Sequence, residues 1–134
     1  MTVFGDGNQS RAFSYIRDVA PGIVESAFHS ECYNQIFNVG TDEPRTVKEL
    51  AEAVARAFNR EPRIEWLDER LEVKHAFANH DKLKKFLNLG KPTSLEEGVA
   101  RMAKWARETG PRAGKEFQAI EVARNLPPSW KPGV

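Results

Sequence analysis

Gly5 and Gly7 flank Asp6 directly after the apolar pair Val3-Phe4, and this short interruption constrains everything that follows it. Glycine reaches positive φ without steric cost, and an aspartate between two glycines bonds to its own following backbone, so Gly5-Asp6-Gly7 reads as a turn. After the turn come Arg11 and an alternating run, with Phe13 and Tyr15 on one face and Ser14 and Ile16 on the other. That alternation predicts a strand. Asp18 is placed as the N-cap of a helix, giving a unit of turn, strand and helix start that presents a guanidinium at the turn. Two readings of Arg11 follow. It is either an exposed residue beside a hairpin turn or a docking point for an anion, since its planar fork of donors matches a phosphate bidentately.

The remainder alternates helical and extended patterns. A helix is predicted from Asp18 to Phe28, with Val19, Ile23, Val24 and Ala27 inward and Pro21 in its first turn, where a missing N–H costs little. Gln35-Ile36-Phe37-Asn38-Val39, ending at Gly40, reads as a buried strand covered on both faces. Thr46-Val47-Lys48-Glu49 is a capping box. The helix behind it places Val47, Leu50, Ala51, Val54, Ala55 and Phe58 at helical spacing. Arg63–Leu67 alternates as a strand. Asp81 caps a short helix through Leu83, Phe86 and Leu87, stopped by Gly90. Ser94-Leu95-Glu96-Glu97 forms a second capping box for a helix with Leu95, Val99, Met102, Ala103 and Ala106 inward. Beyond Gly110-Pro111, a short helix is expected around Phe117–Ala123, then an extended tail, Asn125-Leu126-Pro127-Pro128-Ser129-Trp130.

Lys and Arg number 20 against 19 Asp and Glu, a balance without the basic excess that nucleic acid demands. One cysteine, Cys32, allows no internal disulfide and fits a reducing compartment. No apolar run approaches the roughly 18 residues that span a bilayer, so a soluble, cytoplasmic protein is expected. His75 and His80 with Asp81 do not converge as a zinc site would, and no metal is expected. Trp66, Trp105 and Trp130 are read as packing residues.

The order F-G-D-G-x-Q-x-R-x-F-x-Y-x-x-D-V, running from Phe4 to Val19, resembles the start of the C-terminal, substrate-binding part of NAD-dependent nucleotide-sugar epimerases and dehydratases. These are extended short-chain dehydrogenases. The likeness continues through Phe37-Asn38-Val39-Gly40, Thr46–Ala53, Asp81-Lys82-Leu83 and Thr93–Gly98, covering residues 3 to 109. It implies an α/β fold, a small mixed α+β substrate-binding domain. The helix at 18–28 and the strand at 35–39 would normally complete the sheet of a Rossmann cofactor domain. It also implies a domain at 1–109 followed by an extension at 110–134.

Arg11 matches the family's first diphosphate-binding arginine, and Arg70 matches the second, in a segment of the form R-x-G-D-V-x-H. Residues 70–75 read Arg-Leu-Glu-Val-Lys-His. A single Glu72 therefore replaces Gly-Asp, His75 is kept, and Asn79 stands where an Asp is usual. Ala12 replaces the Asp that follows the first arginine.

The family binds NAD through a Gly-rich turn leading into a helix. Here the third glycine of that pattern is Ser10. Its acid/base pair is a Tyr and a Lys four residues apart, whereas Tyr15 is followed by Val19 and Tyr33 by Phe37. The expectation is a nucleoside-diphosphate-sugar-binding half with no catalytic residue and no cofactor of its own, NAD belonging to the full-length family. Two alternatives stand beside it: a protein–protein association module, and one half of a split enzyme. The expected partners are a nucleoside diphosphate sugar, a second copy or a separate cofactor domain, with neither nucleic acid nor membrane.

Overall fold

The computed structural model describes residues 1–111 and 114. The helix expected at Phe117–Ala123, the tail at Asn125–Trp130 and the Trp130 reading lie outside the described residues. Among the described residues, five short strands, four α-helices and a 3-10 turn (Ser30–Cys32) form a small mixed α/β fold: β1 (Thr2–Phe4), β2 (Ser10–Arg11), α1 (Ile16–Ser26), β3 (Arg45–Thr46), α2 (Val47–Ala57), β4 (Glu65–Leu67), β5 (His75–Ala76), α3 (Asp81–Phe86) and α4 (Leu95–Thr109). β1 pairs in parallel with β4, setting Val3 against Trp66. β2 is the centre of a second sheet, antiparallel to β3 and parallel to β5.

The opening turn forms as its residues dictate. Gly5 and Gly7 take φ of 67° and 73°, and the Asp6 carboxylate accepts bonds from the backbone N–H and side-chain amide of Asn8, at 2.9 and 2.7 Å. Gly7 is also needed sterically, because a Cβ there would stand 3.1 Å from the Trp66 ring.

The strand expected through Phe13 and Tyr15 stops at Arg11. Continuing the β2–β3 register would set Ala12 opposite Pro44, which has no N–H to give. α1 then starts at Ile16 with Tyr15 as its N-cap, so Asp18 lies inside the first turn and Pro21 in the second. The Asp18 carboxylate caps nothing on its own helix. It receives the Thr93 backbone N–H at 2.7 Å and the Thr93 hydroxyl at 2.9 Å. This anchor, with Gly22 buried against Leu89, sets the rotation of α1. The face expected inward is consequently turned out: Ile23 and Val24 are 57% and 59% exposed.

The capping box at Thr46 is complete. Thr46 Oγ1 accepts from Glu49 N at 3.1 Å, and Glu49 Oε2 accepts from Thr46 N at 2.7 Å. The box at Ser94 is half made. Ser94 Oγ accepts from Glu97 N at 3.2 Å, but the Glu97 carboxylate is drawn along the helix to Arg101 at 2.5 Å. α2 packs along α4 through Ala51, Ala55, Val99 and Ala103, all buried. Small residues let the two helices approach closely, which leaves the longer Met102 and Phe58 at the rim and exposed. Arg107 Nη2 closes the C-terminus of α2 by donating to the Ala57 carbonyl at 2.5 Å.

A second apolar cluster joins Cys32, Leu83 and Leu87 to Phe37, Val39, Phe86 and Leu89. Phe37 meets Phe86 edge-on, with ring centroids 5.2 Å apart. The segment at 35–39 enters this cluster without becoming a strand. One face is covered and the other open, Ile36 being 87% exposed. The Ile36 carbonyl accepts from the Lys82 ammonium at 3.0 Å rather than from a neighbouring strand. Among the described residues no helix is long and apolar enough to cross a membrane.

Candidate functional site

β2 ends on Arg11, and its parallel register with β5, Ser10 to His75 and Arg11 to Ala76, brings residues 69–74 alongside the opening turn. The two arginines singled out in the sequence, Arg11 and Arg70, thus stand on neighbouring segments. Arg11 Nη1 donates to the carbonyls of Ser10 at 2.7 Å and Lys74 at 3.3 Å. Arg11 Nη2 donates to Glu72 Oε2 at 3.1 Å. The Arg70 guanidinium lies over the Phe4 ring, 3.2 Å from its centroid, a placement that an aromatic face favours for a planar cation. Gln9 ties these parts together, its amide nitrogen donating to the Phe4 carbonyl at 2.9 Å and to Glu72 Oε1 at 3.5 Å.

Gln9, Glu69, Arg70, Glu72 and Lys74 line a cavity of about 30 Å³ beneath this surface, room for roughly one water. Arg11 itself is partly exposed. Asp6 is held below the usual carboxylate range by its bonds from Asn8. His75 keeps its place by sharing a hydrogen bond with Ser10 Oγ at 2.8 Å. Sequence reasoning missed Lys74 and the role of Glu72 as the partner of Arg11. The loss of Gly-Asp at 72 was visible, but the meeting across 61 residues comes from the β2–β5 register.

A larger cavity, about 500 Å³, opens between α3 and the loop at 40–43. Buried His80 anchors its wall, with Nδ1 2.5 Å from Asp42 Oδ1, and Lys84 donates to the other oxygen of the same carboxylate. These two partners, Lys84 foremost, lower Asp42 to about 2, while Asp42 raises Lys84. Asn79 serves α3 rather than a ligand, its Oδ1 accepting from Asp81 N at 2.8 Å. His75 and His80 are thus bonded to Ser10 and Asp42, partners distant in sequence, and no group of three metal-ligating side chains occurs among the described residues.

Gly5-Asp6-Gly7 leads into strand β2, and the first helix starts nine residues after Gly7, with Tyr15 at its N-cap. The helix N-terminus that does reach the turn is that of α2, and its Val47 and Lys48 N–H groups are taken by the Gln9 and Gly7 carbonyls at 3.0 and 3.1 Å.

No family model matches the sequence. The chain is 33% identical over 108 residues to a UDP-glucuronate 4-epimerase of Thermodesulfobacterium geofontis, covering 79% of this chain and 33% of that one. It is 37% identical over 101 residues to an ADP-L-glycero-D-manno-heptose-6-epimerase of Nitratidesulfovibrio vulgaris, covering 72% of this chain and 31% of the relative. It is homologous to one part of the NAD-dependent nucleotide-sugar epimerase and dehydratase family. The chain spans about a third of the length of the curated relatives it matches. The fold agrees. A UDP-N-acetylglucosamine 4-epimerase of Methanobrevibacter ruminantium, solved with UDP-N-acetylmuramic acid, superimposes with a TM-score of 0.72 at 29% identity, over 81% of this chain and 35% of that one.

Proposed function

We propose that this chain is the C-terminal, nucleoside-diphosphate-sugar-binding part of an NAD-dependent sugar epimerase or dehydratase, and that it transfers no hydride by itself. The observation that carries this reading is the β2–β5 register, which sets Arg11 and the Arg70 loop on one surface. Nη1 of Arg11 is held by two backbone carbonyls, so the guanidinium is oriented before a ligand arrives, and an oriented fork loses less freedom on binding a phosphate. The relatives named above act on UDP- and ADP-linked sugars, whose shared element is the diphosphate. Cofactor and acid/base groups belong, in this reading, to a separate part of the enzyme.

The test is calorimetric titration of the whole chain with UDP-, ADP-, GDP- and dTDP-sugars, beside Arg11→Ala. Saturable binding lost in the variant supports the reading and identifies the base. Binding that Arg11→Ala leaves untouched sinks it. If no nucleotide sugar binds until a separately encoded cofactor domain is added, the chain is one half of a split enzyme.

One observation favours a second reading, association through α1. Ile23 and Val24 lie on an open helix face, and Phe28 beyond its C-terminus is 80% exposed. Exposed apolar surface of this kind marks interaction sites, and a second copy is the proposed occupant. Sedimentation equilibrium at micromolar concentration decides this. A monomer overturns the reading, and a dimer broken by Ile23→Lys supports it.

A further inference from the structure

We infer that Glu72 is a built-in competitor at the diphosphate site, its carboxylate occupying the donors of Arg11 that a ligand phosphate takes. The inference rests on the diphosphate reading above and assigns a specificity role to a residue that reading leaves aside. The guanidinium of Arg11 is divided between two duties. Nη1 is spent on the Ser10 and Lys74 carbonyls, at 2.7 and 3.3 Å, and these contacts are enough to orient the group. Nη2 faces the open side and is engaged by Glu72 Oε2 at 3.1 Å.

Glu72 itself is weakly held. Its side chain is 42% exposed, it sits on a loop outside any helix or strand, and its other bond, from Gln9 Nε2, is long at 3.5 Å. A carboxylate and a phosphate oxygen make the same charge-assisted contact with a guanidinium edge. An incoming diphosphate therefore exchanges with Glu72 rather than adding to it. Displacing the carboxylate leaves Arg11 in place, because its orientation comes from the backbone. It also frees Glu72 to turn into water, with Arg70 and Lys74 remaining as cations beside the vacated position.

The opposite role, Glu72 as a support that positions Arg11, predicts the opposite sign, and that makes the inference testable. The whole chain and its Glu72→Gln, Arg11→Gln and double variants are titrated with inorganic pyrophosphate, a probe independent of base and sugar. Circular dichroism confirms that each is folded, and Glu72→Ser repeats the charge removal with a smaller side chain. Competition predicts that Glu72→Gln tightens pyrophosphate about three- to five-fold, the scale of an exposed ion pair. It further predicts that the same change does nothing in the Arg11→Gln background, since the gain passes through Arg11. Weaker or unchanged binding in both Glu72 variants, with Arg11→Gln still losing affinity, overturns the competition and leaves the diphosphate reading standing. No binding by any form overturns both. Binding by Glu72→Gln alone supports the competition in its strongest form.

Discussion

Thr93 donates its backbone N–H and its hydroxyl to the two carboxylate oxygens of Asp18, at 2.7 and 2.9 Å, across 75 residues of sequence. This pair ties the first turn of α1 to the segment that leads into α4, and it explains why α1 shows its apolar face to the outside. Asp18 and Gly22 lie one turn apart and face the body of the protein together, so Ile23 and Val24 face away.

Asp18→Ala leaves two donors of Thr93 without their acceptor in a partly buried place. The expected loss is about 1.5–3 kcal/mol of unfolding free energy, the range for bonds to a charged group. Thr93→Val removes the hydroxyl alone and should cost less, about 1 kcal/mol. Urea denaturation of the two variants checks the order.

Gly40→Ala tests the wall of the larger cavity. A Cβ at Gly40 would stand 2.9 Å from Ser14 Oγ and 3.1 Å from His80 Nε2. Both groups are held, the first by the Thr41 N–H at 3.0 Å and the second by Asp42. The added methyl cannot be absorbed by a loose side chain, so overpacking should cost about 1–3 kcal/mol. A midpoint equal to that of the wild type would show that His80 yields.

Asp42 makes stability depend on acid. Its carboxyl is held at about 2, below the ordinary 3.8, first by the hydrogen bond from Lys84 and then by that from His80. A group lowered in the folded chain contributes fully above its unfolded value, and the contribution disappears as pH falls through the folded value. Between about pH 4 and pH 2 the wild type should therefore lose stability that Asp42→Asn never had, so the two urea midpoints converge across that window. Lys84 acts on the other limb. Its value is raised by Asp42, so its contribution is complete below 10.5 and fades as pH climbs past the raised value.

The two caps should differ under mutation. Glu49→Ala breaks a reciprocal box and also removes the 3.3 Å pair with Arg45. Glu97→Ala removes an exposed pair with Arg101 but leaves the Ser94 cap intact. Thermal unfolding should show a clearly lowered midpoint for the former and a barely changed one for the latter. Equal effects would mean that Glu97 reaches Ser94 in solution.

The Gly5-Asp6-Gly7 turn and the Thr46 cap were legible because their physics is local. A positive φ and a hydroxyl three residues before an N–H need no distant neighbour. The short helix near Asp81 was legible for the same reason, although Asn79, not Asp81, supplies the bond at its start. The strand expected at 35–39 failed because a strand is a relation between two chains. Phe37 and Val39 found their apolar cluster, but among the described residues the backbone found no neighbouring strand. Met102 and Phe58 were misplaced because helical spacing gives a face and not its width, and an alanine-lined seam is narrow.

Sequence by itself determined the turn at Gly5-Asp6-Gly7, the hydroxyl caps at Thr46 and Ser94, and that neither Tyr15 nor Tyr33 is followed four residues on by a lysine. All of these are properties of residue type at short separation. Tertiary structure alone decided the rotation of α1, set by Asp18 on Thr93, and the pairing of Arg11 with Glu72, set by the β2–β5 register. Those contacts join residues 61 to 75 positions apart, and no local preference of either partner encodes the meeting.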